Sequence, residues 1–251
     1  MQKLCVILVL MLSVMMNGCG DKKDAVLSNN VINRVEDKVS TSDNDKYDIA
    51  KATYTDQNIK INYPQISNLS DSGRQKRINE LIKTSALEVL DDYKDNLSSL
   101  NLNMDFEIKY KGADLLSIQY LGVGVVKESA YPVNVIQTAN IDFAREKRLA
   151  LSDVVTVNDS FIEKFKAARY KSYGSDLNLE SAGVIKDVLN GFSSNDLMES
   201  LKQRTAKFNF TKNSLGVSVE VAHAVGDHLE MELEYKSLGG LLLVKPQGSD
   251  K

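Results

Sequence analysis

The chain has 251 residues, 43% of them hydrophobic, which is enough for one globular domain or two small ones without covalent staples. Its 31 Lys+Arg against 34 Asp+Glu leave a net charge of −3, with no basic stripe to neutralise phosphates, so nucleic acid is excluded as a partner. Two cysteines are too few for a disulfide scaffold.

Lys3 opens an apolar run over 4–16 in which Ser13 is the only polar residue. As a helix this run covers roughly 20 Å, short of the roughly 30 Å hydrocarbon core, so residues 1–18 read as a signal peptide and not as a permanent span. The run ends in Met16-Asn17-Gly18-Cys19, which resembles the lipobox of bacterial lipoproteins. That resemblance implies cleavage after Gly18 and lipid on Cys19, the anchor that would hold the protein to the outer face of the bacterial cytoplasmic membrane. Two acyl chains supply the stable attachment that a single chain does not. Cys5 would leave with the signal, and losing Lys3 moves the net charge from −3 to −4, so no polybasic patch adds to membrane attraction. Residues 19–47, rich in Asp, Lys, Asn and Ser, read as the lipidated N-terminus and a flexible tether with a reach of roughly 30 Å.

The folded part divides by its patterning into a hairpin–helix–strand unit over 48–111, a larger unit over 112–245 and a polar tail over 246–251. Residues 49–54 and 58–63 alternate as a hairpin that Pro64 closes. Ser72-Gly73-Arg74-Gln75 fits a capping box, and Ile78, Leu81, Ile82, Ala86, Val89, Leu90, Tyr93 and Leu97 continue at helical spacing for six or seven turns. Residues 106–110 and 115–126 form a second long hairpin, and Pro132 opens an extended run through Phe143, followed by a short strand over 148–151. Helical spacing returns at Phe161, Ile162, Phe165 and Ala168, at Leu179, Ala182, Ile185 and Leu189, and at Leu197 and Leu201. Strands over 207–211, 215–223, 228–235 and 241–244 finish the chain. Hairpins interspersed with grouped helices predict an α+β fold, with antiparallel sheet and helices packed mainly on one face.

Catalytic and cofactor signatures are missing: there is no G-x-S-x-G, H-E-x-x-H, Walker loop or G-x-G-x-x-G, so no catalytic residue, metal or cofactor is assigned. Gly122 and Gly124 lie within a strand pattern, where glycine marks a bend or a close backbone approach. His223 and His228 bracket a short turn. Val217, Val219 and Val221 put His223 on an apolar face, whereas Glu230, Glu232 and Glu234 put His228 on a polar one, so the imidazoles are expected on opposite sides. The row of glutamates reads as the charged face of an exposed strand. Tyr110, Tyr120 and Tyr131 flank the glycine-containing strand and the turn before Pro132. Exposed, they would offer a platform for a sugar or an anchor for a protein; otherwise they fill the ends of the core. Tyr120, Tyr131 and His223 are the candidate binding residues.

Three segments together resemble the tandem extracytoplasmic domains of unknown function of RsiV-like, lysozyme-sensing anti-sigma factors. The first of those domains also occurs in front of peptidoglycan deacetylases. The segments are Ile61-Asn62-Tyr63-Pro64-Gln65-Ile66 leading to Gln75-x-x-Ile78-Asn79, Thr138-Ala139-Asn140-Ile141-Asp142 through Leu149-Ala150-Leu151-Ser152-Asp153, and Phe208-Asn209-Phe210-Thr211 through Val221-Ala222-His223-Ala224-Val225-Gly226-Asp227. Together they cover about 50–243. The resemblance implies a noncatalytic cell-envelope module of Gram-positive bacteria whose partner is a wall component such as peptidoglycan or a wall-directed protein such as lysozyme. A Gly-Gly-x-His stretch of many relatives is Gly122-Val123-Gly124-Val125 here, without histidine, and no lysozyme-contacting residue is carried over. Two other functions stay open: an envelope hydrolase using His223 with a carboxylate, and a structural lipoprotein subunit that pairs through a sheet edge.

Overall fold

The computed structural model describes residues 47–172 and 183–246, so the signal, the lipidation site at Cys19, nearly all of the tether and most of the polar tail lie outside the described residues. β1 (Asp48–Asp56) and β2 (Ile59–Ser67) form the expected hairpin, each longer than the sequence suggests. Pro64 sits inside β2 opposite Lys51 and does not end it. β2 meets its other neighbour only at Ile59–Ile61, so the N–H that proline lacks is not needed on that side.

α1 (Ser72–Leu87) carries the chain from β2 to β3 (Leu100–Lys111), which runs parallel to β2, as a helical crossover permits. Its N-cap is Asp71, whose carboxylate accepts the Arg74 N–H at 2.9 Å, and Gln75 reaches back to the Leu69 N–H at 3.1 Å. The predicted capping box on Ser72 is therefore not formed: the N-cap is one residue earlier, and Gln75 caps the Leu69 N–H and not the N–H of the N-cap. The helix stops at Leu87, and the apolar spacing that predicted more turns continues through a 3₁₀ segment, Glu88–Tyr93, which keeps Val89 buried.

β4 (Leu115–Val126) and β5 (Val133–Asp142) follow as antiparallel neighbours, and β6 (Lys147–Arg148) completes a mixed six-stranded sheet in the order β1-β2-β3-β4-β5-β6. Residue 112 lies at the turn of the β3–β4 hairpin, inside this one sheet; the chain changes sheet only after β6. Gly122 and Gly124 are the close approaches that glycine in a strand suggests. A Cβ on Gly122 would overlap the Met104 side chain and the Asn103 carbonyl, and one on Gly124 would lie 2.7 Å from the Tyr93 hydroxyl.

Next come α2 (Leu151–Val154), α3 (Asp159–Lys166), the short strand β7 (Arg169–Lys171), α4 (Val184–Gly191) and α5 (Ser194–Lys202). The predicted helical positions Leu179 and Ala182 lie outside the described residues. β8 (Lys207–Phe210), β9 (Ser214–Glu220) and β10 (His228–Glu234) join β7 in a second sheet, ordered β7-β10-β9-β8 and antiparallel throughout. α6 (Tyr235–Leu238) ends the regular structure, and the expected final strand is a 3₁₀ turn with one isolated bridge from Leu242 to Val155.

The fold is α+β. Ile78, Ile82 and Ala86 of α1 pack on Leu116, Ile118 and Tyr120, one face of the six-stranded sheet. Phe161, Ile162, Phe165, Leu197 and Leu201 pack on Leu229, Met231 and Leu233, one face of the four-stranded sheet. Each sheet thus carries helices on one face, and the other faces meet. That meeting layer is polar: Ser117, Gln119, Thr138 and Asn140 of the larger sheet are at most 1% exposed, as is Glu230 of the smaller.

Its chemistry is specific. The Phe208 N–H donates to Thr138 Oγ1 (3.2 Å), the Phe208 carbonyl accepts from Asn140 Nδ2 (2.7 Å), and the Phe210 N–H donates to Ser117 Oγ (2.9 Å). Side chains on the face of one sheet therefore satisfy the backbone edge of the other, as buried polar groups require. Glu230, expected on an exposed strand face, is instead buried here. Its Oε2 accepts from Gln119 Nε2 at 2.6 Å and Asn209 Nδ2 at 3.1 Å, and Lys171 Nζ lies 3.4 Å from its Oε1. The charged-face reading holds for Glu234, which pairs with Lys236, whereas Glu232 pairs with Arg169 with its side chain only 13% exposed.

Candidate functional site

β9 stops at Glu220, three residues before His223, so strand parity does not reach the histidine. The connection to β10 is a 3₁₀ turn, His223–Val225, followed by Gly226 at φ 108° and Asp227 at φ 70°. Two successive left-handed residues reverse the chain sharply, and glycine supplies the first of them at little steric cost. The Val221 N–H closes the loop onto the Asp227 carbonyl at 2.9 Å.

Asp227 is the pivot of this region. Its carboxylate is 9% exposed; Oδ1 accepts from His223 Nδ1 at 2.9 Å and Oδ2 from the Asn134 N–H at 2.8 Å. It therefore fixes the His223 tautomer, with the proton on Nδ1, and ties the loop to the start of β5. The His223 ring stacks on Tyr131 with centroids 3.9 Å apart and planes 9° from parallel. His228 turns to the same segment, its Nε2 against the Asn134 carbonyl. The expectation that the two imidazoles point to opposite sides is thereby corrected: the left-handed pair resets the alternation, and both rings face residues 131–134. Among the described residues no group of three or more His, Cys, Asp or Glu is arranged to hold an ion.

Two of the three candidate binding residues thus come together. Tyr131 is half exposed and His223 remains accessible beside it. Tyr120 is a correction: it is 0% exposed, on the β4 face that packs on α1, and its hydroxyl donates to the Ile82 carbonyl at 3.4 Å. Burial pushes its phenol far up from the ordinary range. It is a core residue, as the alternation Leu116, Ile118, Tyr120 dictates. Tyr110 packs at the edge of the smaller sheet's core.

Next to the stacked pair, where the two sheets part, lies a cleft of about 870 Å³. Asn134, Ile136, Leu197, Val219, Asp227 and His228 contribute to its walls. A second cleft of about 520 Å³ runs on toward α1, and the two share Asp92, Thr205, Lys207 and Glu220, so they form one groove. Lys207 does not stand out in the sequence, whereas Asp227 lies between the two histidines as a carboxylate within reach of either. Asp227 carried a second signal, since Gly-Asp between two strand patterns marks a turn.

Desolvation, the main cause, moves the pKa of the half-buried His228 imidazole down, against the Asn134 carbonyl and Asp227, which favour the proton. The unfolded chain binds a proton near 6.5, the folded one more weakly. Stability is therefore complete above that value and falls as pH drops through the window below it, because unfolding takes up a proton. Denaturation midpoints measured from pH 7 to pH 5 are expected to fall more steeply for the wild type than for His228→Gln. Parallel slopes would show that His228 is not the titrating group.

No family model and no curated protein matches the sequence. Among solved structures, the chain is similar to a member of the DUF3298 family from Bacteroides fragilis, with a TM-score of 0.47 and 12% identity over 78% of this chain and 92% of that one. It is also similar to a DUF3298 family protein from Pseudomonas aeruginosa, with a TM-score of 0.46 and 14% identity over 80% of this chain and 93% of that one.

Proposed function

We propose that the protein is a lipid-anchored binding or sensing protein of the bacterial cell envelope, attached through Cys19. Its ligand is a wall component such as peptidoglycan or a wall-directed protein such as lysozyme. The RsiV-like motifs and the lipobox-like Met16-Asn17-Gly18-Cys19 support the setting. The observation that carries the binding reading is the Tyr131–His223 stack, held by Asp227 at the side of the groove. An aromatic pair fixed before the ligand arrives loses little side-chain entropy on binding, and its half-exposed ring face suits a sugar or an apolar anchor.

The hydrolase reading has one observation in its favour, the His223–Asp227 pair at 2.9 Å. A carboxylate-oriented imidazole is two parts of a nucleophilic triad, but among the described residues no hydroxyl or thiol is hydrogen-bonded to His223, so the third part is missing. Binding is the better-supported function.

Full-length protein taken from membranes and mixed with insoluble peptidoglycan, and separately with immobilised lysozyme, tests this. Retention on at least one is expected, and Tyr131→Ala should weaken it about tenfold, the usual cost of truncating an interface tyrosine. In the same cells, Cys19→Ala should abolish labelled palmitate incorporation and release the protein from the membrane fraction. Retention on neither matrix would overturn the binding reading.

A further inference from the structure

The junction of the two clefts holds an uncompensated set of charges. Lys207 lines both, and its Nζ donates to a neutral acceptor, Gln137 Oε1, at 2.5 Å. Gln137 donates in turn to Glu88 Oε2 at 3.1 Å, and the carboxylate of Glu88 is already engaged by Arg148. Asp92 and Glu220 line both clefts with Lys207, yet among the described residues neither forms an ion pair, and no carboxylate comes within pairing distance of Lys207 Nζ. Burial, the main cause, pushes the Lys207 amine down from its ordinary pKa, with Arg148 adding to the effect. A half-buried cation that lacks a counter-ion is costly, and a carboxylate brought by a ligand removes that cost.

The same junction supplies the opposite sign within reach. Asp92 and Glu220 are exposed carboxylates that line the groove with Lys207, and both act on its proton from a distance, as does the Arg148-paired Glu88. Of the four residues common to the two clefts one is a cation and two are anions, and the neighbouring Arg148 and Glu88 neutralise each other, which leaves a match for a ligand with one carboxylate and an excess of ammonium groups. A neutral glycan has neither. From this we infer that the groove at Lys207 binds a short peptide bearing both charges, its terminal carboxylate on Lys207 Nζ and its ammonium groups at Asp92 and Glu220. The inference rests on the binding reading above and deepens it: of the two chemistries in a bacterial wall, the groove takes the peptide and not the glycan. Charge-assisted contacts to Lys207 and to the two carboxylates are the strong kind, and they would set direction as well as affinity.

Titration calorimetry of the full-length protein with lysyl-D-alanyl-D-alanine provides the test. Binding is expected, and amidating the C-terminal carboxylate should weaken it at least tenfold. Lys207→Met should lose the same factor with the free acid and nothing more with the amide. Glu220→Gln should weaken the unmodified peptide but not one whose amines are acetylated. The comparison of acid with amide on the wild type does not depend on any variant folding. Equal binding of acid and amide, or no heat with the unmodified peptide at millimolar concentration, would overturn the inference. If peptidoglycan or lysozyme is still retained in either case, the binding reading stands and only the peptide assignment fails. If the peptide binds while neither matrix is retained, the groove assignment stands and the wall reading falls.

Discussion

Glu230→Ala is expected to be the most destabilising polar substitution among the described residues, lowering the unfolding free energy by about 3–5 kcal/mol, the range for breaking a buried ion pair from one side. Glu230 is 0% exposed and sits between the sheets as acceptor for Gln119 and Asn209 with Lys171 at 3.4 Å. Removing it takes an acceptor from two buried amides and a carboxylate from beside Lys171. Lys171 lies beside Lys109, whose amine burial pushes down in pKa with the neighbouring lysine adding to the effect, so the lost negative charge falls where two positive groups are already close. Glu230→Gln keeps the volume and one acceptor and should cost distinctly less. Urea titration of both variants reads the difference. A loss below about 1 kcal/mol for the alanine variant would mean that Lys171, 28% exposed at its side chain, swings to water and that the layer contributes little.

Asn140→Leu is expected to cost about 1–3 kcal/mol for each buried group it strands. Asn140 is 1% exposed, donates to the Phe208 carbonyl at 2.7 Å, and accepts from Ser117 Oγ at 2.7 Å. Leucine fills nearly the same space, so the loss is not a cavity. It is a carbonyl on β8 with no donor, and a serine hydroxyl that must reorient while still accepting from the Phe210 N–H. Thr138→Val removes one acceptor from the same edge and should cost less. If Asn140→Leu is neutral in urea titration, water enters the layer and replaces the amide.

How far the sequence reached can be judged residue by residue. The strands β4, β5, β9 and β10 and the helix α1 were legible because each has one apolar face, and alternation or helical spacing reports that directly. Glu230 was misread for the same reason. Its row of glutamates alternates with Leu229, Met231 and Leu233, which says only that the other face is polar, not that it meets water. A polar face against another polar face leaves no trace in one strand's pattern, because the partner groups, Gln119 and Ser117, lie more than ninety residues away. β7 was invisible at three residues, too short for any period. At the candidate site, Tyr131 and His223 were named from their flanks. Their stacking was not readable, because it depends on the left-handed pair Gly226-Asp227, which ended the parity used to orient the histidines. Lys207 was likewise unreadable: a lysine at the first position of a strand is ordinary until the carboxylates around it are seen to be engaged or held at a distance.

The edge of β8 has a consequence outside stability. A strand at the border of a sheet normally presents a row of unpaired amides and carbonyls to any extended chain that drifts past, and proteins protect such borders with charges, bulges or covering elements. Here Ser117, Thr138 and Asn140 occupy that row, so the smaller sheet cannot grow by recruiting a strand at β8. The larger sheet keeps an open border at β1, where Lys51 sits mid-strand and pairs with Asp105 at 2.9 Å. The side chains that join the two sheets thus also close one of the templates for self-association, and leave β1 as a border guarded by charge.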